Sequence, residues 1–296
     1  MNRTKIEWVK NPDGSQGSTW NPITGCLNHV NGICKGGGFP CYAYRLAHTR
    51  LKQRYLANPN TAASQIISDT PINMMQKQVK AELDPFYPRF WEERLNALVV
   101  HPKRRKGIFV CDMGELFGDW VPREWQEKVF SVIRAHPQHR FYLLTKQPQN
   151  LIKWSPFPDN CWVGTTATNN AELRVGLQFL NAVDAKVRFV SLEPLLSWND
   201  RAVWDTENRS LTRCLSDLDW IIIGQQTPVS KATTPKLEWI HEIVEAADKA
   251  GVKVFLKNNL EESPEIAGHY PFYCDATGFP LHHLRQQLPE VSPERV

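Results

Sequence analysis

Beyond residue 100 the chain keeps returning to one theme: a short run rich in β-branched and aromatic residues, followed by a helical pattern. That alternation restricts the fold to a parallel sheet with crossover helices. The runs are Gly107–Cys111, Arg140–Thr145, Cys161–Thr165, Val187–Leu192, Trp220–Gly224 and Val252–Leu256. Between them Trp125, Val129, Val132 and Ile133 recur at helical spacing, as do Leu173, Leu177 and Leu180, and then Leu237, Ile240, Ile243 and Val244. Val121-Pro122-Arg123-Glu124 and Thr234-Pro235 mark helix starts, and Gly251 marks a stop. A short strand near Trp20–Thr24 brings the parallel strands to about seven. The expectation is an α/β fold, a partial (open) βα barrel of six to seven parallel strands, in one domain over residues 1–296. Residues 50–90, broken by Pro59, Pro71, Pro85 and Pro88, read as an irregular helical insertion, and residues 197–217 as a polar loop.

Seven cysteines in a chain that opens MNRTKIEWVK, with no apolar signal segment, do not read as a secreted disulfide framework, so a reducing cytoplasm is expected. No run approaches the roughly 18 apolar residues of a membrane helix. Three of the thiols, Cys26, Cys34 and Cys41, share one loop with glycines at 32, 36, 37 and 38, whereas the other four are scattered. Soft thiolates select an iron–sulfur cluster or zinc, and the glycines let the loop curl until its sulfurs converge. A cubane held by three protein thiolates keeps one iron open, as a catalytic centre requires. Two other readings stand beside this one: three unrelated buried cysteines, and a zinc site completed by His29 or His48. Against zinc, the spacings lack the close CxxC pair of most structural knuckles.

The chain resembles a phage-associated three-cysteine family similar to radical S-adenosylmethionine enzymes. The resemblance rests on Trp20-Asn21-Pro22-Ile23-Thr24-Gly25-Cys26, Cys41-Tyr42-Ala43, Leu143-Leu144-Thr145-Lys146, Ser191-Leu192-Glu193-Pro194-Leu195 and Phe255-Leu256-Lys257, which span nearly the whole chain in order. It implies a 4Fe-4S cluster on the loop after the first parallel strand, S-adenosylmethionine bound to the open iron, and an electron donor such as flavodoxin or ferredoxin. Reduction would then cleave the cofactor to a 5′-deoxyadenosyl radical, with the barrel supplying orientation and exclusion of water. The chain departs from the family in the six residues Lys35–Pro40 that precede the last cysteine, so the loop must bulge there.

Ligand-binding side chains of a βα barrel stand at the C-terminal strand ends. After the second parallel strand, Cys111-Asp112-Met113-Gly114-Glu115 is similar to the Gly-Gly-Glu segment that holds the cofactor's amino group in radical enzymes. An acid and a close backbone approach are what an ammonium needs, although Asp112 or Glu115 alone also reads as a capping or solvated acid. Lys146 is expected to pair with a carboxylate, and Thr165 and Thr166 to hydrogen-bond ribose or carboxylate, whereas Thr168 and Asn169 read better as helix caps. Glu193, set before Pro194 at the mouth, needs a cation or hydroxyl partner. Gln225 occupies a further cofactor position, and Lys257 and Asn258 are placed to face substrate. Cys111 is a candidate hydrogen-atom donor, although a thiol in such a place is more often a small buried hydrophobe.

The basic run His101-Pro102-Lys103-Arg104-Arg105-Lys106 and eleven tryptophans admit a nucleic-acid substrate, since cations track phosphates and aromatic faces stack on bases. A net charge of +4 neither requires nor forbids it. The competing function is a non-catalytic, metal-stabilised nucleic-acid-binding module, which zinc without iron would mark.

Overall fold

Gly107–Val110, Cys161–Thr166 and Trp220–Ile223 are strands in which every residue is buried, the pattern of parallel strands packed on both faces. A computed structural model of the chain describes residues 1–65, 70–98, 104–199, 210–279, 281 and 283–290. The chain divides into two compact units, residues 1–161 and 162–296.

In the first unit, β1 (Asn2–Arg3) lies antiparallel to β2 (Ser18–Trp20), which runs parallel to β3 (Gly107–Val110) with Trp20 opposite Val110. β3 is in turn parallel to β4 (Arg140–Thr145), with Phe109 opposite Tyr142. Among the described residues four α-helices belong to this unit: α1 (Tyr42–His48), α2 (Lys52–Leu56), α3 (Pro71–Leu83) and α4 (Arg123–Arg134). α4 buries Trp125, Val129 and Ile133 of the expected stripe, while Val132 is only part-buried and Phe130 and Gln126 turn inward with them. Aromatic rings interlock in the core, with Trp8 against Phe109 at 5.0 Å between centroids and Phe90 stacked on Trp125 at 5.3 Å.

The strand expected over Trp20–Thr24 is two pieces. β2 ends at Trp20, and Ile23–Thr24 turns away to pair antiparallel with Arg89–Phe90. Pro22 lies between them and has no N–H to donate to a ladder; its carbonyl accepts from Trp91 instead. The insertion is more regular than its prolines suggest, because α3 alone runs 13 residues from the cap at Thr70. Arg89 ties the insertion down. Its guanidinium, 1% exposed, donates to the carbonyls of Asn58, Ala81, Asp84 and Tyr87, so a buried cation is satisfied by four dipoles rather than by a counter-charge.

In the second unit β5 (Cys161–Thr166), β6 (Val187–Leu192), β7 (Trp220–Ile223) and β8 (Lys253–Leu256) are parallel in that order. α5 (Asn170–Leu180), α6 (Leu211–Leu215) and α7 (Leu237–Ala250) complete it. Gly251, with φ +74°, ends α7 as the sequence indicates. Trp220 is the hub of this core, with Trp162, Phe189 and Phe255 at 5.7, 5.5 and 6.0 Å. The polar loop expected over 197–217 contains α6, and residues 200–209 lie outside the described residues. Both units are thus α/β with parallel strands. Among the described residues no helix is long and apolar enough to cross a membrane.

Candidate functional site

The cysteine loop begins where β2 ends, and its path is set by backbone hydrogen bonds. Gly25 donates to Met113 and accepts from Glu115 at 2.9 and 3.2 Å, which fastens the loop to the turn after β3. Gly25 has no room for a side chain, and Gly114 has little. A Cβ on Gly25, at φ +89°, would stand 2.5 Å from the Phe86 carbonyl, and one on Gly114 would stand 3.0 Å from Gly25. His29–Val30 and Ile33–Cys34 form a two-stranded hairpin with His29 opposite Cys34. The six residues before the last cysteine bulge as their number requires. Cys34 donates to Phe39, Gly38 donates to Cys34, and Gly37 and Gly38 both take positive φ. The chain then returns with Pro40 beside Ile33, and Cys41 donates to Gly32 at 2.8 Å before α1 starts.

All seven cysteines are free thiols. Cys26 and Cys41 pack against one cluster made by Ala43, Ala47, Tyr55, Phe86, Trp91 and Met113. Burial, followed by the charge of Glu115 and then by Cys34 and Cys41, pushes the Cys26 thiol up. Burial also raises Cys34, and Lys146 opposes it. The Lys146 ammonium lies 5.6 Å from the Phe39 ring, and its stem passes Gly36, so this lysine lies along the cysteine loop. Among the described residues no three His, Cys, Asp or Glu side chains are already gathered as a metal-holding group.

Of the two histidines that a zinc site would recruit, His48 has both ring nitrogens engaged and His29 only one, its Nε2 being buried without a partner. Nδ1 of His29 accepts from the Gly32 N–H at 3.3 Å, which leaves the proton on Nε2. His48 turns Nδ1 to the Tyr44 carbonyl at 3.0 Å and Nε2 to Asp84 at 3.4 Å, so both its nitrogens face oxygen acceptors rather than the thiols.

At the end of β3 the acids are held with care. Asp112 accepts from Asn21 Nδ2 at 2.6 Å, and its carboxyl is raised by burial, against the hydrogen bonds from Asn21 and Thr19. Glu115 Oε1 accepts from Phe117 N and Thr145 Oγ1 at 3.1 and 2.8 Å, and Oε2 from Lys146 N at 3.1 Å. Burial raises the Glu115 carboxyl, and these three donors work against it. Cys111 is buried with φ +60°, a left-handed conformation that costs a non-glycine residue about 1–2 kcal/mol. Its thiol is raised by burial and sits beneath the strand end rather than on the surface.

Asn21 and Tyr42 are the residues that motif reading alone left without a role. Asn21 Oδ1 accepts from Met113 N at 2.9 Å, and Tyr42 donates to the Asp112 carbonyl. Together they clamp the Asp112–Met113 turn across 91 and 70 residues of chain, contacts that no local pattern announces.

In the second unit Thr165 packs against Gly176 of α5, where a Cβ would meet its methyl at 2.5 Å. Thr166, next along the strand, points to the opposite face. Asn169 caps α5 by accepting from Glu172 N, the role expected of it, while Thr168 precedes the cap and donates its N–H and Oγ1 to Glu172. Glu193 forms an ion pair with Lys257. The lysine stem crosses Gly224, where a Cβ would stand 2.8 Å from its Cδ. Gln225 is 2% exposed and is paired with Asn259 through backbone and side chain, while Thr234 donates to its Oε1 at 3.1 Å. Asn258 Oδ1 accepts from Gln286 at 2.6 Å. In this unit, then, the strand-end residues are bound chiefly to one another.

Seven tryptophans, Trp8, Trp20, Trp91, Trp125, Trp162, Trp198 and Trp220, are buried, so their faces are committed to the cores. Residues 101–103 of the basic run lie outside the described residues, and Arg104 lies 4.0 Å from Asp13.

No curated protein and no solved structure matches the chain. Residues 3–266 match the model of a family described as a protein of unknown function, DUF5131, and the chain belongs to that family.

Proposed function

We propose that the chain is a radical S-adenosylmethionine enzyme on an open βα barrel. Cys26, Cys34 and Cys41 would hold a 4Fe-4S cluster, with one iron left for the cofactor. The observation that carries this reading is the folded path of the cysteine loop, in which Cys41 donates to Gly32 and the His29–Cys34 hairpin turns back on itself, so that burial first, and then Glu115 and the other two thiols, disfavour the Cys26 thiolate. A cationic iron centre would relieve that repulsion more fully than the Lys146 ammonium beside the loop. The engagement of both nitrogens of His48, and the Gly32 N–H on Nδ1 of His29 that keeps that ring's proton on Nε2, support three protein ligands rather than four.

When bound, the cluster and S-adenosylmethionine supply a 5′-deoxyadenosyl radical. The chain's part is to bind, orient and exclude water. Glycines 36–38 give the loop the freedom to draw its sulfurs together. The turn pinned by Asn21 and Tyr42 brings Asp112, Gly114 and Glu115 beside the loop to receive an ammonium, and Lys146 supplies a cation for a carboxylate. Electrons come from a donor of the flavodoxin or ferredoxin class, and the substrate is unidentified. A nucleic-acid substrate draws little support from the seven tryptophans that are spent on the cores.

Anaerobic reconstitution with iron and sulfide, followed by reduction in the presence of S-adenosylmethionine, tests the proposal. The expected product is 5′-deoxyadenosine from the native chain and none from C34A. A reducible iron–sulfur protein that leaves the cofactor intact contradicts it.

A further inference from the structure

The second unit holds another pair of metal-binding atoms. His241 lies on α7, and His269 precedes the short helical turn Tyr270–Tyr273; both are half-buried. Their Nε2 atoms face each other at 3.4 Å, with ring centroids 4.8 Å apart and planes at 73°. Phe272 packs against both rings at 5.0 and 5.3 Å, which fixes their positions from one side.

Two imidazole nitrogens this close have two chemistries open to them. A hydrogen bond from an N–H is usually about 2.9–3.0 Å long, so the observed separation is loose for one. Ligands about 2.0–2.1 Å from a tetrahedral ion stand about 3.3–3.4 Å from each other, which is the separation found. Nδ1 of His269 is buried and has no hydrogen-bond partner. No second contact therefore fixes the proton on Nε2, and the ring can present its Nε2 lone pair. Glu238 and Glu245 flank His241 on α7 and place negative charge beside it; Glu245 also bonds Lys249 at 2.6 Å.

We infer that His241 and His269 form a two-imidazole site for a divalent first-row transition ion of the zinc, nickel or copper class. Imidazole suits these ions and not calcium or magnesium, which take oxygen ligands. Among the described residues no third His, Cys, Asp or Glu side chain completes the set, so water or an exogenous ligand takes the remaining positions. The site joins α7 to a segment 28 residues further on, so an ion bound there staples the end of the chain to the helix and stabilises the folded state by mass action. It is independent of the radical chemistry proposed for the cysteine loop, and its second ligand lies beyond the residues that match the family.

Zinc titration of the full chain by calorimetry, with the native protein beside H241Q, H269Q and C34S, tests the inference. The native chain and C34S are expected to share one zinc equivalent that both histidine variants lack, and zinc is expected to raise the Tm of the first two by several degrees more. Long-range proton–nitrogen correlation spectra of the native chain cover the case in which a variant fails to fold. On adding one equivalent of zinc to the native chain, the Nε2 resonances of His241 and His269 shift together. Equal stoichiometry in all four proteins, or imidazole resonances that stay in place, overturns the inference.

Discussion

His139 accepts a hydrogen bond from Lys106 N at its Nδ1, while its Nε2 is buried without a partner. Burial, helped by His136 and Lys106, depresses its pKa to about 4 from the ordinary 6.5. Between those values the unfolded chain binds a proton that the folded chain refuses. Stability is therefore full above about pH 6.5 and lost as pH falls toward 4, by on the order of 2–3 kcal/mol. Denaturant unfolding across that range is expected to show the slope in the native protein and a flatter profile in H139Q. At this scale the cysteine loop, with its three thiols and its glycines, was readable directly, because residue types and their spacing are all that mark it. The work of Asn21 and Tyr42 was not, because each acts on a turn far along the chain.

At the scale of elements, the cysteine loop depends on one backbone contact. G25A would put a methyl against the Phe86 carbonyl at an unfavourable φ, and G114A would press on Gly25. Each is expected to lower stability by about 1–3 kcal/mol and to reduce iron incorporation while leaving all three thiols in place. Iron content normalised to folded protein checks this. In the second unit G224A would displace the Lys257 stem and so weaken its pairing with Glu193. Its cost, about 1–2 kcal/mol, and that of K257M are expected to be non-additive in a double-mutant cycle by thermal denaturation. The long parallel strands were legible because a run buried on both faces is nearly all apolar and needs no partner to be recognised. β1, Ile23–Thr24 and the hairpin at Cys34 are two residues long. No period can show in two residues, so only their pairing defines them.

For the whole molecule, the alternation of strand and helix carried the α/β class, and the thiol cluster carried the chemistry now proposed. Family membership over residues 3–266 adds no activity to that reading, so the account stands or falls on the metal. Single substitution of Cys26, Cys34 or Cys41 by alanine is expected to abolish bound iron and sulfide, whereas C214A is expected to retain both. The most direct measurement is the electron paramagnetic resonance spectrum of the anaerobically reconstituted, reduced chain before and after addition of S-adenosylmethionine. The expected result is the signal of a reduced 4Fe-4S cluster whose g values change when the cofactor reaches the iron without a protein ligand. A chain that takes up zinc and no iron, or a cluster whose spectrum is indifferent to the cofactor, contradicts the account.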